Sequence, residues 1–473
     1  MKINAHISGR SRSFDEYKGS LTVLLPFLLL FSAAAVHAQF TYTTNAGGTS
    51  ITITGGPGGA VNIPGSINGL TVTSIGEQAF GGYWAEGGIY FQPNVLLTSV
   101  TIPGSVTNIG DFAFYYCSDL TQVTISNGLI EIGVEAFYDD YDLRSITIPG
   151  SVANIGEGAF ENCASLSSLS IPGTVLNVGD GAFANCSGLT NAVMMEGVPS
   201  IGNDAFLGCT NLSTVTIAGS VTNIGSDAFE SCTNLASITI PGSVGTYAFA
   251  YCTSLTNATL SNGVGSIGDY AFYECGGLNS IVIPGSVNTI GVGAFASTSL
   301  TNLTISNGVS VIGAVAFGGC DLLTSVTFPP SVTSIGVQAF WWCNSLANVF
   351  FQGNGPDLPG DAENGGIVPF VPPVTCYYLP GTTGWSYPYQ WVPFVLWNPL
   401  IQTGNGNFGV QKDQFGFDIT GTPAIPIVVE ASTNLANPVW TALTNVTLTN
   451  GLFHFSEPLQ AGSPARYYRI GSP

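Results

Sequence analysis

The sequence has very little positive charge. It contains eight Lys and Arg residues against 28 Asp and Glu, and only four of the eight follow residue 38, namely Arg144, Lys412, Arg466 and Arg469. Nucleic acids and anionic membranes bind proteins largely through cationic side chains that displace counterions. We therefore expect no nucleic-acid partner and no attachment to an anionic membrane surface.

Histidine is nearly absent as well, since His454 is the only one after residue 38. Ser-His-Asp and Cys-His catalytic arrangements, and metal sites built on histidine, are therefore not available to most of the chain. We expect His454 to be a solvent-facing strand residue. Carboxylates recur just before the Ala-Phe pairs described below, but their irregular placement favours a solvated edge over an acid–base pair. We expect no enzyme, no metal site and no cofactor.

Long apolar runs are missing except near the N terminus. The run from Leu21 to Val36 follows four basic residues and ends in Val36-His37-Ala38, which is the order of a signal peptide cleaved after Ala38. An uncleaved anchor is the alternative. No later stretch is apolar enough to cross a bilayer, so we expect no membrane span once residues 1–38 are removed. The expected location is outside the cell or on its surface.

What the chain has in abundance is one repeated unit. Ala-Phe recurs mostly every 23 residues, with single steps of 34, 20 and 22, at Phe80, Phe114, Phe137, Phe160, Phe183, Phe206, Phe229, Phe249, Phe272, Phe295, Phe317 and Phe340. A near-constant period of this length indicates a solenoid, in which no unit can bury its apolar side chains alone and stacking creates one continuous core.

The unit reads L-x-x-V-x-I-P-G-S-V-x-x-I-G-x-x-A-F-x-x-C. In the copy that starts at Leu97, Val100 and Ile102 alternate with polar residues, which predicts a short strand with one buried face. Pro-Gly ends the strand because proline cannot donate to a ladder and glycine permits the turn. Ile109 and Phe114 return to the core.

These residues resemble the BspA-type leucine-rich repeat, whose 23-residue unit has the same A-F-x-x-C ending, and the match covers Val61 to Phe351. The resemblance implies a curved right-handed coil with a parallel sheet on its concave side and irregular turns on its convex side. It also implies a bacterial surface or secreted protein. Several members of the family bind host or matrix proteins.

We expect a β-rich solenoid followed by a small antiparallel β domain. The signal peptide is assigned to residues 1–38, the N-terminal cap to 39–60, the solenoid to 61–352, the C-terminal cap and linker to 353–400, and the sandwich-like β domain to 401–473. Short alternating runs such as Phe415-Phe417-Ile419 predict the strands of that last domain. Its text resembles a module at the C termini of exported bacterial proteins. A G-x-G-x-x-G match at 404–409 lacks the preceding strand and following helix of a nucleotide site.

Nine of the ten cysteines occupy the last position of the unit: Cys117, Cys163, Cys186, Cys209, Cys232, Cys252, Cys275, Cys320 and Cys343. A zinc site needs converging ligands, typically from C-x-x-C pairs, and these are absent. Stacking places neighbouring cysteines ~5 Å apart, which permits disulfides in an oxidising compartment. The other reading is a column of small buried side chains. We favour free thiols, because Asp140 and Thr298 occupy the same position in two copies. Cys376 lies outside the column.

The acidic run Asp139-Asp140-Tyr141-Asp142 lacks the glycine turn and distal glutamate of an EF-hand calcium loop. We interpret it as a solvated acidic turn.

The outward positions of the repeated strands are the best candidates for ligand contact. They are nearly uncharged, and one hydroxyl recurs in most units: Thr101, Thr124, Thr147, Ser170, Thr216, Thr239, Thr259, Thr304 and Thr327. Such a face could bind a protein or a polysaccharide through many weak hydrogen bonds. Alternatively, Ser and Thr are simply what an exposed strand accepts, and the protein is then a structural component of the envelope or matrix. A polysaccharide hydrolase is a distant third hypothesis.

A second candidate surface is aromatic, comprising Trp341, Trp342, Trp385, Tyr387, Tyr389 and Trp391, which could stack on sugars or close the end of the solenoid.

Overall fold

The computed structural model describes residues 39–84, 91–92, 94, 96–358, 370, 373–385, 392–459 and 465–472. The expected signal peptide, residues 1–38, lies outside the described residues, as do Tyr387, Tyr389 and Trp391. Within the described part of the chain, no helix is long and apolar enough to span a membrane.

The L-x-x-V-x-I segment of each unit forms one strand of a parallel ladder, in which strand pairing is interrupted after Ser145–Ile146, Asn257–Leu260 and Asn302–Ile305. Neighbouring strands pair one repeat apart, so that Val100 lies beside Val123 and Thr101 beside Thr124. Exposed and buried residues alternate along most of these strands, as the sequence predicts. The members of this first ladder are Gly59–Asn62, Leu97–Ile102, Gln122–Ile125, Ser145–Ile146, Ser168–Ile171, Asn191–Met194, Thr214–Ile217, Ser237–Ile240, Asn257–Leu260, Ser280–Ile283, Asn302–Ile305, Ser325–Phe328, Asn348–Phe351, Thr375–Tyr378 and Phe394–Leu396.

The V-x-x-I-G segment forms a second parallel ladder of mostly two-residue strands, in which pairing is interrupted after Asn177–Val178. It comprises Ser50–Gly55, Leu70–Ile75, Asn108–Ile109, Glu131–Ile132, Asn154–Ile155, Asn177–Val178, Ser200–Ile201, Asn223–Ile224, Ser243–Val244, Ser266–Ile267, Thr289–Ile290, Val311–Ile312 and Ser334–Ile335. At the N-terminal end of this ladder, two further strands pair antiparallel with its members. Thr41–Thr44 pairs with Ser50–Gly55, and Ser66–Ile67 pairs with Leu70–Ile75. A two-stranded hairpin, Tyr83–Trp84 with Phe91–Gln92, lies in the long insertion between the first two Ala-Phe pairs.

The A-F-x-x-C segment completes each coil as a turn that is also bonded to its neighbour. The amide of Phe114 donates to the carbonyl of Ala136 in the next coil at 2.8 Å, and Tyr116 donates to Tyr138 in the same way. Two residues of this turn, Phe112 and Tyr116, have φ of 57°. The third side of the solenoid is therefore hydrogen-bonded between coils, although it contains no assigned strand.

The repeated phenylalanines form a continuous stack through the core. Consecutive rings from Phe80 to Phe340 have centroids 4.9 to 5.5 Å apart and planes within 15° of parallel. Phe137, Phe160 and Phe183 are fully buried. This spacing lies within the range at which aromatic pairs attract. The predicted solenoid with one shared apolar spine is confirmed.

Glycine is required where adjacent coils approach most closely. A Cβ atom built on Gly156 would lie 2.5 Å from the backbone carbonyl carbon of Gly133 in the preceding coil, and Gly179 has the same relation to Gly156. Real Cβ atoms do not approach backbone atoms this closely, so the constant spacing of the coils depends on the missing side chain.

The chain ends in two antiparallel sheets that share a core. One contains Leu400–Gln402, Gly409–Gln411, Gln414–Thr420 and Leu452–Pro458, and the other contains Pro426–Ser432, Thr441–Thr447 and Tyr467–Gly471. Phe417, Ile427 and Val429 are buried between them. Phe350 and Tyr377, from the last coils of the solenoid, pack into the same core. The C-terminal domain therefore docks on the end of the first ladder.

Candidate ligand-binding face

The nine candidate hydroxyls line up along the outer side of the first ladder, and we call them the hydroxyl face. Eight of them are exposed. Strand pairing places Thr101 directly beside Thr124 and Thr239 directly beside Thr259. Adjacent strands of a sheet lie about 4.8 Å apart, so the face offers an almost regular row of hydroxyls. The row is interrupted by Val193 and by Val282, which is 59% exposed.

A second set of Ser and Thr hydroxyls serves the fold instead. Thr121 and Thr190, which immediately follow the repeat leucine, donate to the carbonyls of Thr98 and Ser167 in the preceding coil at 3.0 Å. Within the described residues, the eight exposed members of the hydroxyl face make no side-chain hydrogen bond of this kind. Position in the unit therefore separates hydroxyls that hold the coils together from hydroxyls that are free to contact a ligand.

The last member of the face is in a different environment. Thr327 is half-buried, and its hydroxyl lies 3.4 Å from that of Ser472 in the C-terminal domain. At the next two register positions the hydroxyl is replaced by Phe350 and Tyr377, which are 3% and 6% exposed. The open part of the hydroxyl face thus extends from Thr101 to Thr304.

The nine repeat cysteines form the expected buried column, and all ten cysteines are free thiols. Each Sγ of the column contacts the phenylalanine carbonyl of the preceding coil; Cys163 donates to Phe137 and Cys186 to Phe160, both at 3.2 Å. Burial raises the pKa of Cys209 and of Cys275 to about 12. Since the thiolate is the reactive form, these thiols are poor nucleophiles. Cys376 is also buried, on the first ladder beside Val349.

We predict from the sequence a solvated turn for the acidic run, and for Asp139 and Asp140 this prediction is wrong. Asp139 and Asp140 are 2% and 0% exposed. Asp140 occupies the cysteine position of its coil, and its Oδ1 accepts a hydrogen bond from the amide of Cys117 at 2.7 Å, while Oδ2 has no partner. Burial raises the pKa of Asp140 well above its usual range. The hydroxyls of Tyr116 and Tyr141 donate to Asp139. The repeat period predicts the burial of Asp140, because the repeat cysteines and Thr298, which occupy the same position in other coils, are buried.

Several carboxylates at the turns bond the next coil rather than forming acid–base pairs. Oδ1 of Asp111 accepts from the backbone amide of Val134, one repeat later, at 2.8 Å. Asp180 and Asp269 likewise each accept from a backbone amide one repeat after their own position. Among the described residues, no group of three or more His, Cys, Asp and Glu side chains is arranged to hold a metal ion.

His454 is half-exposed on its strand, with a partner that the sequence did not indicate. Its Nδ1 lies 2.6 Å from Oδ1 of Asp418, the residue directly opposite on the neighbouring strand. Asp418 also accepts from the amides of Asn405 and Asn407 at 2.6 and 2.8 Å. The G-x-G-x-x-G segment is therefore a loop tied to a carboxylate, not a nucleotide-binding turn.

The aromatic group near the end of the solenoid is divided. Trp342 is 63% exposed and does not close the core. Trp385 packs on Phe351 and Tyr378, with ring centroids 5.1 Å apart in both pairs. Trp385 therefore serves as part of the cap.

The model of the BspA-type leucine-rich-repeat region matches the chain in six copies, over residues 87–206, 177–296 and 242–361. A leucine-rich repeat protein from Bacteroides ovatus ATCC 8483 is 25% identical, covers 76% of this chain and 98% of its own, and superposes with a TM-score of 0.50. A leucine-rich cell surface protein from Faecalibacterium prausnitzii A2-165 is 28% identical, covering 70% and 97% of the two chains with a TM-score of 0.42. The T. pallidum leucine-rich repeat protein is 31% identical over 42% and 88%, with a TM-score of 0.37. No curated protein matches the chain.

Proposed function

The chain belongs to the BspA-type leucine-rich-repeat family, and on this premise we propose that it is an exported, non-catalytic recognition protein that binds a protein or a polysaccharide through its hydroxyl face. Family membership itself assigns a recognition or structural role based on the repeats. The location outside the cell rests on the signal-peptide pattern of residues 1–38 and on the surface location typical of the family.

One observation carries the proposal. Eight exposed hydroxyls, from Thr101 to Thr304, occupy the equivalent outward position of their units and have no side-chain hydrogen-bond partner within the described residues. A single hydrogen bond contributes only about 1 kcal/mol net, but an extended polar ligand can form one in most coils. The face carries no charge, so the ligand needs hydroxyl, amide or backbone groups rather than ionic ones.

The test uses residues 39–473, a glycan array and a panel of extracellular matrix proteins. Once a ligand is found, Thr216, Thr239 and Thr259 are replaced together by lysine. We expect at least tenfold weaker binding, because three long charged side chains would cover the centre of the face. The matched control places three lysines on exposed positions of the second ladder, as Asn177→Lys, Asn223→Lys and Ser266→Lys.

Equal effects of the two triple variants would show that binding does not use this face. Absence of binding throughout the panel would favour the structural role in the envelope or matrix. Release of reducing ends from any polysaccharide on the array would contradict the non-catalytic assignment.

A further inference from the structure

A cavity of about 520 Å³ lies where the C-terminal domain docks on the solenoid. The first ladder contributes Phe350 and Tyr377 to its lining, the segment after that ladder contributes Trp397, and the C-terminal domain contributes Glu430, Arg469 and Ser472. This volume is within the range of small-molecule sites, about 300–1,000 Å³. The cavity begins where the hydroxyl face ends, but no member of the open hydroxyl face lines it.

One wall of the cavity is aromatic and rigid. The rings of Phe350 and Tyr377 stack with centroids 4.9 Å apart, and Trp397 meets Phe350 edge-on at 6.2 Å. The indole nitrogen of Trp397 donates to the carbonyl of Pro426 at 2.9 Å, which fixes the ring between the two domains. Phe350 and Tyr377 are themselves only 3% and 6% exposed, so the ring surface open to a ligand belongs mainly to the half-buried Trp397.

The opposite wall presents a donor and an acceptor side by side. Nε of Arg469 donates to Oε2 of Glu430 at 2.6 Å, and the guanidinium carbon lies 4.5 Å from the ring centroid of Trp440. Arginine has five N–H donors, and only the Nε donor is used by this ion pair.

We propose that this cavity is a binding site for a neutral sugar of one or two hexose units. The C–H face of a pyranose ring packs on aromatic rings, and neighbouring sugar hydroxyls both donate and accept, as the Glu430–Arg469 pair requires. The two charges of the pair cancel, and the chain carries a formal charge of −20. Both features favour a neutral sugar over an anionic one. This site goes beyond the proposed function, because it does not need the hydroxyl face to bind anything.

The test measures saturation-transfer NMR and calorimetric binding of glucose, galactose, mannose, N-acetylglucosamine and their disaccharides to residues 39–473. We expect at least one probe to bind with millimolar affinity, with saturation strongest at the protons of one ring face. Arg469→Met should weaken that binding at least tenfold. Arg466→Met is the matched control, because Arg466 forms the same type of ion pair, with Glu457 at 2.5 Å, and does not line the cavity.

The proposal is overturned if no probe binds at 50 mM, if sialic acid or glucuronic acid binds more tightly than every neutral sugar, or if the two arginine variants behave alike. A Gln352→Trp variant, which adds a large side chain at the exposed rim, provides a second check that leaves the ion pair intact. It should abolish sugar binding, and retained binding would contradict the site. The triple lysine variant of the hydroxyl face should bind the sugar normally, so that the two proposals fail independently.

Discussion

In the solenoid a buried side chain meets its own copy in the next coil, whereas in the C-terminal domain it meets different residues. Phe160 stacks on Phe137 and Phe183, both the same repeat position, with centroids 5.1 and 5.3 Å away. Phe417 instead contacts Phe415, Phe455 and Tyr468. A repeated charge would therefore face a like charge in every coil, which is destabilising, while the non-repeating domain can place opposite charges together.

The distribution of charge follows this difference. Three of the four cations after residue 38 belong to the C-terminal domain, and the ion pairs found among the described residues all lie there. Carboxylates on neighbouring solenoid turns face each other instead. Burial, Asp227 in the following coil and Asp180 in the preceding coil raise the pKa of Asp204. Self-contact between coils thus explains why the repeats contain so little charge.

The largest expected effect comes from breaking the close approach of two coils. Gly156→Ala would place a Cβ 2.5 Å from the backbone of Gly133, and we expect a loss of about 3 kcal/mol in the free energy of unfolding. Gly150→Ala, in the same coil, is the control because no atom lies within 4 Å of the added Cβ. Urea denaturation of both variants measures the difference. If Gly156→Ala lost no more free energy of unfolding than Gly150→Ala, the coils could move apart at that position without cost.

A smaller effect is expected from returning the column to uniformity. Asp140→Cys removes a fully buried carboxyl with one unpartnered oxygen, and we expect a gain of roughly 2 kcal/mol at pH 7. Because burial raises the pKa of Asp140, the folded state favours the protonated carboxyl. The free energy of unfolding of the wild type therefore falls as the pH rises above the usual pKa of an aspartate. The gain should therefore shrink towards pH 3.

Thr298→Cys is the matched control for this change. The Thr298 hydroxyl occupies the same position but is already bonded to the carbonyl of Phe295 at 2.9 Å and lies 3.2 Å from Cys320 Sγ. Its replacement should change stability little. Two outcomes would contradict the interpretation. One is a gain from Thr298→Cys as large as that from Asp140→Cys, and the other is a gain from Asp140→Cys that grows as the pH falls.

The smallest expected effect has the opposite pH dependence and concerns the other domain. The amide of Asn407, together with His454 and Asn405, lowers the pKa of Asp418. The stability that Asp418 contributes is therefore present above the pKa of the unfolded chain and is lost as the pH falls through the lower folded value. Asp418→Asn should unfold at a lower temperature than wild type at pH 7 and lose less on acidification. Asp413→Asn, at an exposed position, should follow the wild type.

Most of the solenoid could be predicted from the sequence, including one feature that composition obscured. The alternation of Val100, Thr101 and Ile102, the Phe spine and the buried cysteine column all follow from the repeat, whereas the repeat alone left the pairing of the cysteines open. Asp140 was misjudged because an acidic run suggested solvent, although counting along the unit places it in the cysteine column. The repeat position was the stronger signal, since every coil stacks its equivalent residues.

The covered end of the face and the contacts of the C-terminal domain were not predictable in this way. The change from Thr327 to Phe350 and Tyr377 at successive outward positions was visible in the sequence as a break in the pattern. What covers these rings was not, because Ser472 lies 145 residues from Thr327 and belongs to a domain without repeats.

The sequence by itself determined the coil, its period and the inward or outward direction of each repeat residue, because the neighbours of every coil are copies of that coil. Only the tertiary structure decided how much of the hydroxyl face stays open and how Arg469, Glu430 and Trp397 border one cavity. Those contacts join segments that share no pattern, and docking surfaces of that kind depend on the shapes of two folded domains.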